Sequence, residues 1–532
     1  MEKPELFHEP AKEISRAALR VSIGGGLSLI AGLASQVITA YLFGAGADMD
    51  AFFTASTVPL YLQIVLLGGL PFVVVPAFIR EESAGHENDA WSLTGTMIYI
   101  TIIVLMLTAV IGAFLSPQII AFSAPGFAIQ KASLSSQMLS ILMFTVPFSG
   151  LGTFTSGVEN VRGHFFWPAT ATALGSIGNV LTIVLLHPLI GPMSLAWGNL
   201  VSTILFATVT TIPVISHGWK KLMPLNDIRI VEMLKLISPF IFFGLITNSR
   251  LLLERYFASM LPDGQLSYIG YAGKISNIFV ILLASGIASA YFPAMARAYS
   301  LKGIHGLEKQ AEDGLRITLA VALPVVVITT ILSVPLIRLF FERGAFLPSM
   351  TIAVSILIPI VMINDVLFRM ITNMIGRTFF VIKDTITTNL VSSLTIVIYV
   401  FFAYFLTRAW GYWGLALAQV IQVSFSIMLM CILLYRKVHT FPFLILLRSS
   451  IKYLVICIIA GTIAWTARSL TSHLSIIIQL GLGAVTSSAA YLGLLYLTEQ
   501  STALSILEMT GVSRIYSMIK ARLHPIQQTP PL

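Results

Sequence analysis

Residues 43–81 read FGAGADMDAFFTASTVPLYLQIVLLGGLPFVVVPAFIRE. A Gly-rich loop, GAGADMD, closes one long apolar segment, and Asp50 opens the next. That second segment carries Pro59, Gly68, Gly69 and Pro71 inside it, ends at Pro76 and meets charge at Arg80 and Glu81. A soluble core helix needs neither this length nor this many breakers. A helix lining a cavity within a membrane tolerates them, because freed backbone groups find water or partner side chains there. The stretch predicts a helix pair that lines a central cavity through which something crosses a bilayer.

Composition extends that reading to the whole chain. Of 532 residues, 56% are hydrophobic and 10% charged; soluble globular chains carry about 25% charged residues. A membrane-crossing helix needs about 20 mostly apolar residues. Such segments fall near 20–43, 51–79, 93–115, 134–157, 167–187, 194–213, 233–257, 267–294, 315–340, 350–375, 384–406, 413–435, 449–467 and 474–497. We number them spans 1 to 14. The fold class expected is an all-α polytopic membrane protein. The first residues, MEKPELFHEPAKEISRAALR, mix both charge signs and show no cleavable signal peptide. Cys431 and Cys457 sit in apolar runs and read as core residues. The net charge of +9 fits basic cytoplasmic loops better than nucleic-acid binding. Alternate loops hold most Lys and Arg, while the other side keeps mainly Lys131, Arg343, Arg408 and Arg468. That alternation predicts an even number of spans and cytoplasmic termini.

An internal repeat appears. VPAFIRE, with Pro76, Ala77 and Arg80, recurs as FPAMARA, with Pro293, Ala294 and Arg297. RGHFFWPATATALGSIGNVLTIVLL (162–186) recurs loosely as GRTFFVIKDTITTNLVSSLTIVIYV (376–400), sharing an FF pair and LTIV. GPMSLA (191–196) is echoed by GYWGLA (411–416). Each repeat covers six spans, so the two share one orientation. This is a known transporter plan, with the site at the repeat interface. The expected organisation is a cytoplasmic segment 1–19, an N-lobe 20–220, a C-lobe 221–437, spans 13 and 14 within 438–497, and a cytoplasmic tail 498–532.

FGAGADMDAFF, the following GG and VPAF, APGF (124–127), ENVRGHFFWPA (159–169), YFASMLPDGQLSYIGYAGK (256–274), LFFERGAF (339–346) and RTFFVIKDT (377–385) together resemble the MurJ/MviN family. These are the lipid II flippases of the MOP exporter superfamily. The resemblance runs in order over roughly residues 20–497. It implies fourteen helices, two six-helix lobes in a V around a cationic cavity, and two extra helices forming a lipid-facing groove. It further implies a lipid-linked glycan with a diphosphate headgroup as substrate and a bacterial inner-membrane location. Against the family pattern, Leu29, Ser35 and Gln63 stand where cavity arginines are expected, and Gly68 replaces an acidic residue. Lys274 and Asp50 keep family positions. A divergent member moving another polyprenyl-linked glycan, such as a Wzx-like exporter of an O-antigen or exopolysaccharide unit, is the alternative.

Ionisable residues inside spans are functional candidates by default. Span 7 carries Asn248, Arg250, Glu254 and Arg255; span 8 carries Lys274; span 10 carries Asn364, Asp365 and Arg369. Arg250 and Glu254, and Asp365 and Arg369, are i,i+4 neighbours able to pair. Arg255 is expected about 100° away from Glu254 round the helix. The functional reading gives Arg250, Arg255, Lys274 and Arg369 to the diphosphate, with Arg binding bidentately and Lys as a point charge. The structural reading makes the two pairs internal locks. Asp50 and Gln63 complete the substrate-site expectation, with Asp50 also able to cap its own helix. Glu254 and Asp384 are the candidates for Na⁺ or H⁺ coupling, with the membrane potential as another driving force. No cofactor, metal site or obligate oligomer is expected. An enzyme would need a carboxylate, histidine or metal motif, and no HExxH occurs. A MATE-type antiporter of amphiphilic cations would want a net acidic cavity, whereas the excess inside the spans is basic.

Overall fold

A computed structural model describes residues 9–164, 166–217, 222–438 and 443–509. Thirteen of its helices are long and apolar enough to cross a membrane. One of these, Thr385–Val438, is broken at Gly411, whose φ of 58° and ψ of −137° are not helical. Divided there, it supplies spans 11 and 12, and the fourteen expected segments are all accounted for.

The chain forms two compact units. The first comprises Met1–Tyr268, Phe341–Met350 and Ala403–Leu415; the second holds Ile269–Phe340, Thr351–Phe402 and Ala416–Leu532. The first unit contains α1 (Glu9–Phe43), α2 (Ala47–Leu67), α3 (Leu70–Ser83), α4 (Glu87–Phe114), α5 (Ser116–Ser123), α6 (Ile129–Leu142), α7 (Thr145–Val161), α8 (Phe166–Ile190), α9 (Met193–His217), α10 (Ile228–Thr247) and α11 (Arg250–Ala258). Its core is apolar and includes Phe78 edge-on to Trp91, with ring centroids 5.3 Å apart. The chain passes into the second unit along α12 (Gln265–Ile331), which is kinked at Gly303. Then follow α13 (Ser333–Phe340), α14 (Pro348–Met362), a π-helical turn Ile363–Phe368, α15 (Arg369–Val381), α16 (Thr385–Val438), α17 (Phe443–Leu470), α18 (Ile476–Thr498) and α19 (Gln500–Met509). Met295, Met374 and Phe379 lie in the second unit's core.

Backbone geometry gives the repeat a register. Left-handed residues recur in matched loops: Gly44 and Gly264, Gly163 and Lys383, Gly191 and Gly411. Each pair is 220 residues apart, as the numbering shows. GPMSLA and GYWGLA obey that offset. The FF and LTIV matches do not; they slip by six or seven residues, so they are poor markers of equivalence. Apolar strings align in many registers, whereas a left-handed turn sits where the chain must reverse.

Span 2 is two helices rather than one. α2 ends at Leu67 and α3 starts at Leu70, with Gly68 and Gly69 between. Span 7 is likewise broken, at Asn248–Ser249, between α10 and α11. The two broken spans pack against each other. A Cβ on Gly69 would lie 2.8 Å from Phe240 Cβ, and one on Gly244 3.5 Å from Val65 Cα. The Ser249 amide bonds the Ile246 carbonyl, so the Leu245 carbonyl loses its helical donor. Tyr61 donates its hydroxyl to that carbonyl at 2.8 Å. Glycine at 69 is therefore a close-packing requirement.

Gly69→Val is expected to destabilise the protein by about 1–3 kcal/mol through overpacking. Gly273→Ala, inside α12 where a Cβ would meet nothing within 4 Å, should not lower the thermal midpoint in detergent. Equal midpoints for both variants would contradict the packing assignment.

Candidate functional site

Asp50 lies in the first turns of α2 and is fully buried. It does not cap its own helix, contrary to the expectation: the N-cap of α2 is Gly46, with no side-chain cap bond. Its carboxylate instead accepts the Gly264 amide at 2.7 Å, the Ser267 amide at 2.7 Å and the Ser267 hydroxyl at 2.5 Å. These are the opening amides of α12, more than two hundred residues away in sequence. The helix start has orphan donors and a positive dipole end, and a buried carboxylate satisfies both. Lys131 of α6 completes the charge balance. Its ammonium lies 2.8 Å from Asp50 and 2.8 Å from Asp263, and 4.2 Å from the Phe127 ring centroid. The net effect ties α2, α6 and the start of α12 together.

A second cluster lies on α11. Glu254 is flanked by two arginines, with Arg250 Nη1 at 3.6 Å and Arg255 Nη1 at 3.7 Å. Arg255 thus reaches Glu254 despite its different helical direction, because a long side chain can bend back along its own helix. Arg255 Nε also donates to the Thr57 hydroxyl of α2 at 2.9 Å. The Nη1 atoms of both arginines are buried without a hydrogen-bond partner among the described residues. Buried donors normally find an acceptor. The cluster therefore carries one net positive charge and spare guanidinium donors, which is what an anionic oxygen ligand requires. Gln63, on α2, donates to the Thr145 hydroxyl at 3.3 Å. Ser35 is buried and accepts from Asn179 at 3.1 Å, while Leu29 is half-buried. These three positions make apolar or neutral polar contacts where arginines were expected.

The other two expected cations belong to the second unit. Lys274 of α12 lies with its Nζ 5.3 Å from the ring centroid of the fully buried Tyr271. Arg369 is exposed and pairs with Asp365 at 3.2 Å. Asp365 also accepts from the Ser276 hydroxyl at 2.7 Å and from Asn364 at 3.0 Å. It sits in the π-helical turn, a distortion frequent at functional sites and invisible to a periodicity reading. Arg250 and Arg255 are thus brought together, and Lys274 and Arg369 are held in the other unit.

Asp384 lies just before α16. It accepts from the Thr387 amide and hydroxyl and pairs with Lys437. Burial alone pushes its pKa up, but the Lys437 and Thr387 hydrogen bonds outweigh that and hold its carboxyl below the usual carboxylate range. It is a helix cap with a bound ammonium, placed outside the apolar segments. LFFERGAF forms a tight turn: Gly344 has a φ of 58°, and the next amide, of Ala345, bonds the Tyr41 carbonyl at the end of α1.

Sequence reasoning did not single out Lys131, Thr57, Asp263, Ser267 or Ser276. Lys131 did leave a signal. It is one of few cations on the side that positive charge avoids, beside an apolar run.

Comparison with known proteins agrees with this architecture. The profile of the lipid II flippase MurJ family matches residues 39–485. The chain belongs to that family. A probable lipid II flippase MurJ from Vibrio cholerae is 26% identical over 490 residues, covering 85% of this chain and 88% of the relative. One from Buchnera aphidicola of Acyrthosiphon pisum is 27% identical over 337 residues, covering 62% of this chain. That alignment spans 66% of the Buchnera protein, just under two thirds. A solved lipid II flippase MurJ in an inward closed conformation superposes with a TM-score of 0.73 at 22% identity, covering 90% of this chain and 99% of that one. An inward-facing MATE-family multidrug transporter of the MOP superfamily superposes with a TM-score of 0.66 at 16% identity, covering 80% and 98%. Both likenesses are of fold. The many apolar helices and the family together make this a multi-pass protein of the bacterial inner membrane.

Lys131→Met should lower folding stability by about 3–5 kcal/mol, because it strands a buried carboxylate. Adding Asp50→Asn should recover part of that loss, as read by thermal unfolding in detergent. Strictly additive losses would show that the two groups do not interact.

Proposed function

We propose that this chain is a flippase that moves lipid II across the cytoplasmic membrane by alternating access, and that it is a transporter rather than an enzyme. Membership of the lipid II flippase MurJ family over residues 39–485 is the observation that carries the reading. The buried guanidinium donors of Arg250 and Arg255 supply the chemistry, since arginine binds phosphate oxygens bidentately. On this account the diphosphate of the lipid-linked glycan draws these donors away from Glu254. Lys274 and Arg369 provide further positive charge, and Asp50 and Gln63 act by positioning helices. The lipid tail stays in the bilayer. The termini are cytoplasmic, following the distribution of Lys and Arg between alternate loops, and the protein works as a monomer. The membrane potential or a Na⁺ or H⁺ gradient drives the cycle, with Glu254 the carboxylate within the spans best placed to respond to it.

Complementation of a lipid II flippase depletion strain tests the proposal. The wild-type chain should restore growth. Arg250→Ala/Arg255→Ala and Lys274→Ala should each abolish rescue at equal membrane abundance. An abundant wild-type chain that fails to rescue, yet binds another polyprenyl-linked glycan, would replace lipid II by that substrate.

A further inference from the structure

Two prolines in the second unit leave carbonyls without their helical donors. Proline has no N–H, so the carbonyl four residues earlier loses its partner. Pro324 deprives Ala320 in this way, and Pro335 deprives Ile331. Both carbonyls are met by side chains from the last two spans. Tyr491 of α18 donates its hydroxyl to the Ala320 carbonyl at 2.7 Å, in a fully buried contact. Arg468 of α17 donates Nη1 to the Ile331 carbonyl at 2.7 Å. The two acceptors are eleven residues apart, about 16 Å along the helix axis.

The surfaces between these bonds fit closely. A Cβ on Gly461 of α17 would lie 2.8 Å from Ile331 Cδ1 and 3.1 Å from Val327 Cγ1. One on Gly483 of α18 would lie 2.9 Å from Leu332 Cδ2. Small residues of this kind let membrane helices approach. A third tie lies one turn before Ala320. Glu499, just past α18, accepts from Lys452 at 2.8 Å, Tyr453 at 3.2 Å and Thr502 at 2.6 Å, and lies 4.0 Å from Arg316.

We propose that Tyr491 and Arg468 clamp α17 and α18 to the second half of α12 by filling the two carbonyls that Pro324 and Pro335 orphan, so that these three helices move as one body. In hydrocarbon an orphan carbonyl has no water to turn to. Separation of the helices would expose two at once, which holds the assembly shut throughout a cycle. α17 and α18 then serve as a fixed wall and not as a swinging lid. The statement about the cycle rests on the flippase reading; the clamp itself does not.

Two measurements test it separately. The first is a double-mutant cycle on thermal midpoints in detergent, with no transport needed. Tyr491→Phe should lower the midpoint by a few degrees in the wild-type chain. It should have little effect in the Pro324→Ala background, where residue 324 regains an N–H for Ala320. The same pattern is expected for Arg468→Met with Pro335→Ala. Equal losses in both backgrounds would overturn the clamp. The second is a disulfide between Val327→Cys and Gly461→Cys in a chain lacking Cys431 and Cys457. Oxidation should leave flipping at its reduced level. Flipping lost on oxidation and regained on reduction would show that the helices must part. If neither form flips and the wild-type chain does not flip either, the flippase reading fails and the midpoint cycle alone decides the clamp. If the wild-type chain flips, the Gly461→Cys change has disturbed the packing and the midpoint cycle again decides.

Discussion

A peptide group in hydrocarbon must be hydrogen-bonded within the protein, and this chain breaks its helices repeatedly at membrane depth. Each break frees amides or carbonyls, and at several of them a named side chain receives these groups. Asp50 takes the opening amides of α12. Tyr61 takes the Leu245 carbonyl. Tyr491 and Arg468 take the carbonyls left by Pro324 and Pro335. Unsatisfied, such groups would cost several kcal/mol each. At these sites the breakers are therefore built into the packing, and Tyr61, Tyr491 and Arg468 are their partners.

Several charges inside the spans are paired among the described residues. Asp50 lies against Lys131, which also meets Asp263, and Asp365 pairs with Arg369. Two arginines share the single carboxylate of Glu254, and their buried Nη1 donors lack hydrogen-bond partners among the described residues. A structural lock would need one arginine there. The surplus sets this cluster apart from a one-to-one ion pair, and it sits beside the broken helices α2 and α10–α11, where the backbone is already irregular.

Much of this was legible in the residues. Apolar length and the scarcity of charge gave the class, and the count of spans needed only the turn at Gly411 to be complete. The GPMSLA and GYWGLA echo placed the repeat in its true register, because it includes the turn glycine itself. The FF and LTIV echoes did not, since apolar text carries little positional information. Pairing at i,i+4 was readable for Arg250 with Glu254 and for Asp365 with Arg369. Partners distant in sequence were not: Asp50 with Ser267, Arg255 with Thr57 and Ser276 with Asp365 depend on tertiary packing. The π-helical turn was hidden too, because one inserted residue leaves hydropathy unchanged. Leu29, Ser35 and Gln63 stand where the resemblance led us to expect arginines.

The most direct measurement is lipid II translocation by the purified chain in proteoliposomes, followed by the accessibility of the headgroup on each leaflet. The account predicts flipping by the wild-type chain and its loss in Arg250→Ala/Arg255→Ala, with the fold intact by thermal unfolding. A folded wild-type chain that leaves lipid II on its original leaflet, or a double variant that flips at the wild-type rate, would contradict it.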